Sequence, residues 1–359
     1  MRAWHEHKVK STQASGSNKV GVWGWFQTGN YGDELMALYV AEVFRQIGVE
    51  CVVFGLRPEL AEKYDLASTD DADAFFSQIA FCVFAEGGCL VDAGDSGNVK
   101  GERYAELSAA AKKHGDVAVY PFSIGGNGRS EGTPKGRLGD LWGDGTFRDT
   151  VVRLPGDVGL VESFGGRASC VPDMLWEAAQ VLGCEVERNQ GGRRRIGINF
   201  LRRLVPDDFC EWVEANVPED IEVYWLAVHT EKRVKGELRA ESESDRVKVF
   251  RHGDPLELLR FLGTLDIVVS SKLHVGLTGL SQGATFLSCC GRPKTHAQLG
   301  EVSPELVRDE EPKELLASVF ANPERFMDLV PWQRVAELRG AAAENREWLR
   351  RWAERHGVA

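Results

Sequence analysis

Residues 266–283 read Asp-Ile-Val-Val-Ser-Ser-Lys-Leu-His-Val-Gly-Leu-Thr-Gly-Leu-Ser-Gln-Gly, and this stretch decides the fold. Ile267, Val268 and Val269 form a short apolar run of the kind buried in a parallel sheet. Ser270 and Ser271 are residue types that cap helix N-termini. Leu273, Leu277 and Leu280 then recur at helical spacing, with Gly276, Gly279 and Gly283 as a small-residue face. A strand feeding straight into a helix is half of a βα unit. Lys272 and His274 are therefore expected in the first turn of a helix that leaves the carboxyl end of a strand. A cation there opposes the partial positive charge of the helix N-terminus. Unless a carboxylate compensates, a bound anion, most simply a phosphate, accounts for the arrangement. The plainer reading is a solvated lysine and a hydrogen-bonded structural histidine.

The same alternation extends in both directions. Val20–Trp23, Glu50–Phe54, Ala80–Phe84, Val117–Phe122 and Thr150–Leu154 read as strands, with helical spacing at Met36, Tyr39, Val40, Val43 and Ile47 and again over Ala105–Lys113. A polar stretch rich in Gly and Arg, 183–195, reads as a linker. Beyond it Ile196–Phe200, Glu222–Ala227, Val247–Phe250, Ile267–Val269 and Thr285–Ser288 are strands with helices between. Two βα series in one chain predict an α/β protein of two doubly wound, Rossmann-like domains, 19–182 and 196–327, facing each other across a cleft. Residues 1–18 are polar without an apolar core and read as a disordered N-terminus rather than a signal peptide. Gly-rich 123–146 reads as a mobile loop. From 328 to 359 a long helix should pack back on the body, with Trp332, Val335, Leu338, Trp348, Leu349 and Trp352 on its apolar face.

Composition narrows the partners. The 359 residues carry 43 basic and 54 acidic side chains, a net charge of −11, which argues against general nucleic-acid binding. An anionic substrate would then need a local cationic site. The eight cysteines include no CxxC pair, so neither a disulfide frame nor a zinc site is expected, and a reduced, cytoplasmic setting fits. No stretch approaches the ~18 apolar residues that span a bilayer.

Glycine-bearing turns follow two of the strands. Gln27-Thr28-Gly29-Asn30-Tyr31-Gly32-Asp33-Glu34 leads from the first strand into a helix, but it is not the dinucleotide fingerprint, and Asp33 and Glu34 would repel a phosphate. It reads as a contact for hydroxyls or as purely structural. Glu86-Gly87-Gly88-Cys89-Leu90-Val91-Asp92 follows another buried strand and reads as a turn, with or without a ligand. Arg153 ends the fifth strand, where it either faces the cleft or makes a surface ion pair.

Taken in order, these blocks resemble the polysaccharide pyruvyl transferase family. Gly29-Asn30-Tyr31-Gly32-Asp33-Glu34 is similar to its GNxGDE block, Glu86-Gly87-Gly88-Cys89-Leu90-Val91-Asp92 to GGGxLxD, and Val171-Pro172-Asp173 to the PD block. Ser271-Lys272-Leu273-His274 is similar to the RLH block, and Pro293-Lys294 to a later PK block. The resemblance implies the two-Rossmann architecture of GT-B type glycosyltransferases. It also implies transfer of pyruvate from phosphoenolpyruvate to two hydroxyls of a sugar, giving a cyclic ketal and free phosphate, in cell-surface polysaccharide synthesis. Phosphoenolpyruvate would be the co-substrate, with no other cofactor and no metal, and the acceptor a sugar or glycan, free or lipid-linked. The setting would be the cytoplasm or the inner face of the membrane. Lys272, Leu273 and His274 would meet phosphoenolpyruvate, with Arg153 sharing that role and Lys294, Ser271, Gly29, Asn30, Gly32, Gly87 and Gly88 lining the site. His274 could act as acid or base near pH 7, and Asp33 or Glu34 could orient or deprotonate the acceptor. Lys272 stands where Arg is usual, Cys89 replaces a third glycine, Gly125-Gly126 replaces Gly-Pro, and the loop from His229 to Arg233 lacks an acidic pair. Two other readings remain: a glycosyltransferase of the same fold that uses a nucleotide sugar, and a non-catalytic relative that binds a sugar or metabolite.

Overall fold

The computed structural model describes residues 19–90, 97–126, 128, 138–186, 192–230 and 244–359, without the side chains of 97–101. The expected disordered N-terminus at 1–18 lies outside the described residues. Among the described residues, thirteen short strands fall into three sheets. The first is β3-β2-β1-β4-β5, made of β1 (Val20–Trp23), β2 (Cys51–Phe54), β3 (Ala67–Thr69), β4 (Phe81–Phe84) and β5 (Val119–Pro121). All its pairings are parallel. A small parallel pair, β6 (Thr150–Val152) and β7 (Ala168–Cys170), joins its edge through the bridge Ile124↔Val152.

The other large sheet is β10-β9-β8-β11-β12-β13, again parallel throughout. Its strands are β8 (Arg194–Asn199), β9 (Ile221–Ala227), β10 (Val247–Arg251), β11 (Ile267–Ser270), β12 (Thr285–Cys289) and β13 (Val307–Arg308). In each sheet the winding reverses once, beside β1 and β4 in the first and beside β8 and β11 in the second. Ligand crevices of open α/β sheets lie at the carboxyl ends of strands at such reversals. The segments singled out in the sequence leave β1, β4 and β11 at those ends.

The two halves share one hydrophobic core cluster, which runs from Val20 in β1 through Ile267–Val269 of β11 to Trp352. The helix Tyr31–Gln46 is the element between them. Twelve of its sixteen residues are buried, because it is apolar nearly all round. Its N-terminus is fastened to the second half. Tyr31 N donates to the Val228 carbonyl at 3.0 Å, and the Tyr31 hydroxyl pairs with Thr278 Oγ1 at 2.9 Å.

Several expectations need correction. Arg194 and Arg195 belong to β8, so the linker ends sooner than 195, and residues 187–191 of it lie outside the described residues. The Gly-rich stretch is not one loop. Gly126 and Gly128 are held by Asp157, whose carboxylate accepts their N–H groups at 2.7 and 3.0 Å, and Leu138–Gly143 is helical. Its segment 129–137 lies outside the described residues. The C-terminal helix is two helices, Trp332–Ala342 and Glu344–His356, broken at Ala343. Trp332 is 42% exposed and not part of its apolar face. Trp352 is fully buried and reaches back to the first half, with ring contacts to Phe44, Phe81 and Tyr120.

Candidate active site

The crevice is built from segments that follow β1, β4, β5, β6, β7, β11 and β12. After β6, the buried Arg153 turns inward and donates from Nη1 to Asp173 Oδ2 at 2.7 Å, with both side chains fully enclosed. It is not the surface ion pair that the sequence left open. Asp173 caps the short helix Met174–Trp176 by accepting from Leu175 N at 3.0 Å, which fixes its carboxylate under the guanidinium. Arg153 Nε and Nη2 are buried without a hydrogen-bond partner among the described residues. Buried guanidinium nitrogens left unpaired are costly, and an anion satisfies them well.

His274 lies against this guanidinium, with Nε2 at 3.3 Å from Arg153 Nη1. Arginine has only donors, so Nε2 is the accepting nitrogen and Nδ1 carries the hydrogen. Burial, then the positive charges of Arg153, Lys294 and Lys272, push the His274 pKa well below its ordinary value. The ring is therefore neutral while the pocket holds no anion.

Two glycines let the ring in. A Cβ on Gly32 would lie 1.8 Å from His274 Nδ1, and one on Gly87 would lie 2.9 Å from Arg153 Nη1 and 3.2 Å from His274 Cε1. Gly125 gives way to Arg153 in the same manner, since a Cβ there would sit 2.1 Å from its Nε. Lys294, in the first turn of the helix Pro293–Gly300, brings Nζ to 3.2 Å from where a Gly88 Cβ would be. So Gly32, Gly87, Gly88, Arg153, Asp173, His274 and Lys294 meet at one place, although they come from five separate sequence blocks and the end of β6.

The helix after β11 begins later than expected. It spans Leu273–Ser281, with Lys272 as an extended N-cap residue that makes no side-chain cap. Neither serine caps it. Ser270 closes β11 and its hydroxyl accepts from Lys272 N at 2.9 Å, tying the turn instead. Ser271 is buried, its N–H donating to Asn199 O at 3.1 Å. Only His274 lies in the first turn; Lys272 precedes it and reaches His229, with Nζ at 2.9 Å from Nδ1. Leu273 belongs to the hydrophobic core, which removes its side chain from the proposed substrate contacts.

The acidic block divides. Glu34 is fully buried and bound to Arg57 and to His252, whose Nε2 is 2.8 Å from Oε2. It is a structural anchor, not an acceptor base. Asp33 is half-buried in the first turn of the helix Tyr31–Gln46 and remains a candidate. Asn30 caps that helix, its Oδ1 accepting from Gly32 N at 3.2 Å, and bridges to His229. Gly29, at φ +63°, lies against Thr230, whose N donates to its carbonyl at 3.0 Å. Asn30 and Gly29 thus join the halves through their backbone.

Sequence reasoning assigned no role to Asp173, His229 or His252. Asp173 was visible in the Val-Pro-Asp block. The histidines lie on segments whose approach to Lys272 and Glu34 no local pattern encodes. Among the described residues no group of three His, Cys, Asp or Glu side chains could hold a metal ion. No helix among them is long and apolar enough to cross a membrane.

No family model and no curated protein matches the sequence. Solved structures do match in shape. A Listeria monocytogenes protein described as a UDP-N-acetylglucosamine 2-epimerase aligns over 90% of this chain and 91% of its own, with a TM-score of 0.59 and 11% identity. MnaA of S. aureus, solved with UDP, covers 87% of this chain and 90% of its own at TM-score 0.56 and 10% identity. Anabaena HepE in complex with UDP-glucose covers 93% and 99% at TM-score 0.54 and 9% identity. The chain therefore has two Rossmann-like halves in the architecture of GT-B glycosyltransferases.

Proposed function

We propose, from this two-lobed architecture and the cationic crevice between its strand ends, that the chain transfers pyruvate from phosphoenolpyruvate to two hydroxyls of a sugar. The observation that carries this reading is the buried Arg153, with two unpartnered nitrogens, set beside His274 and Lys294 where the glycine blocks converge. Phosphoenolpyruvate carries about three negative charges at neutral pH, concentrated on a small molecule, and a compact cluster of Arg153, Lys294 and Lys272 matches it in sign and extent.

The chemistry follows from the same groups. A proton goes to the methylene carbon and leaves an oxocarbenium-like centre. One acceptor hydroxyl attacks that centre and the second displaces phosphate, each losing its proton. One proton is consumed at carbon and the other leaves with the phosphate. A bound trianion offsets the three cations that hold His274 neutral, so substrate binding raises its pKa and supplies the acid. Asp33, half-buried at the start of the helix Tyr31–Gln46, orients the acceptor in this reading. Cell-surface polysaccharide synthesis is the setting this reading implies, at the cytoplasmic side where phosphoenolpyruvate is made.

A glycosyltransferase using a nucleotide sugar is the second reading, favoured by the UDP and UDP-glucose found in structures of similar shape. One assay separates the two. The protein is incubated with a panel of lipid-linked and nucleotide-linked sugars, with and without phosphoenolpyruvate. Sugar-dependent release of inorganic phosphate and a ketal product support pyruvyl transfer. Release of a nucleoside diphosphate without phosphoenolpyruvate overturns it in favour of glycosyl transfer.

A further inference from the structure

β12 ends at Cys289 and Cys290 follows it directly, two adjacent cysteines that the chemistry above does not use. Cys289 is buried, with Sγ 3.5 Å from the Glu310 carbonyl, while Cys290 is exposed. Along a continuing strand, neighbouring side chains point to opposite faces of the sheet. Here Cys290 has φ +55°, a left-handed conformation that side-chain-bearing residues rarely adopt. The alternation is broken and the two sulfurs lie 3.9 Å apart. The turn then runs through Gly291 into the helix Pro293–Gly300, which carries Lys294.

We propose that Cys289–Cys290 is a thiol–disulfide exchange site, with a low-molecular-weight disulfide of the glutathione class as its co-reactant. The exposed Cys290 thiolate attacks one sulfur of glutathione disulfide; a mixed disulfide forms and one glutathione thiolate leaves. Cys289, giving up its proton to solvent, then attacks the Cys290 sulfur and expels the second glutathione. Two protein thiols are oxidised by two electrons, and one glutathione disulfide is reduced to two glutathiones. The order follows from access and acidity, because burial raises the Cys289 thiol pKa and leaves Cys290 as the entry point. Neighbouring Cα atoms are about 3.8 Å apart, closer than the ~4.4–6.8 Å usual across a disulfide. The ring is therefore strained, and strained disulfides are readily reduced, which makes the modification reversible.

The test uses the full chain under native conditions. It is treated with glutathione disulfide, quenched with iodoacetamide, fragmented and mapped by mass spectrometry. The expected result is one fragment that has lost two hydrogens, with both thiols protected from alkylation and restored by dithiothreitol. Cys289→Ser should instead keep a lasting glutathione adduct on Cys290, since no neighbouring thiol remains to resolve it. A lasting Cys290 adduct in the unmodified chain would overturn the proposal. So would alkylation of both thiols at a large excess of the disulfide. Both readouts on the unmodified chain stand whether or not the serine variant folds.

Discussion

At the scale of single residues, the crevice is a set of charges held in unequal balance. Asp173 is the one carboxylate bonded to Arg153 among the described residues, while Lys272 and Lys294 add further positive charge around His274. Lys272→Ala is expected to weaken phosphoenolpyruvate binding by about 1.5–3 kcal/mol, the scale of one charge-assisted hydrogen bond, with calorimetry as the check. His274 should show its depressed pKa in two ways. The unfolded chain binds a proton near the ordinary histidine value of about 6.5 and the folded chain does not. Stability from this group is therefore complete above that pH and is lost as pH falls below it. Added anion should reverse the trend by drawing a proton onto the ring. Binding should take up protons in calorimetry repeated in buffers of different ionisation heat, and His274→Gln should abolish that uptake. The same variant should lower turnover by roughly 10²–10⁴-fold. The place of His274 in the first turn of a helix after β11 was legible because strand, turn and helix periodicity are local signals; Lys272 falls just before that helix. Leu273 was misassigned because motif membership does not say which way a side chain points. Here the helix turns that side chain into the core.

At the scale of elements, the helix Tyr31–Gln46 does two jobs that its sequence ran together. Gly32 opens space for the His274 ring, and Glu34, two positions on, fastens the second half through His252. Arg57 completes that tie by donating both to Glu34 and, at 2.8 Å, to the Gly253 carbonyl. Glu34→Gln should therefore cost about 3–5 kcal/mol, the usual penalty for breaking a buried ion pair, read as a lower urea midpoint. Turnover per folded molecule should stay near that of the unmodified chain; a large loss of turnover at unchanged stability would return Glu34 to the chemistry. Gly32→Ala should do the reverse and displace His274 with a smaller loss of stability. The acidic pair was readable as a helix-start signal. Burial of one member against a residue more than two hundred positions away was not, because that pairing is set by how the halves dock. The short and more exposed β3, β7 and β13 were missed, while the other ten strands were legible because parallel strands buried on both faces leave apolar runs. Their edges were not, as the inclusion of Arg194 and Arg195 in β8 shows.

At the scale of the whole molecule, two sheets with one reversal each are joined by a shared core, not merely by a linker. Chemical denaturation is expected to give one cooperative transition, with tryptophan fluorescence and far-ultraviolet dichroism coinciding; two separated transitions would mean that the halves melt independently. Trp352→Ala, at a fully buried position, should lower stability by about 3–5 kcal/mol. Its contacts with Phe44, Phe81 and Tyr120 carry a further consequence. During synthesis the first sheet leaves the ribosome long before the helix Glu344–His356 exists to cover those rings. For most of its time on the ribosome the nascent first half must therefore present an aromatic face to the surrounding medium, a surface of the kind that chaperones hold and that aggregates form on. Folding of that half is finished by elements made long after it.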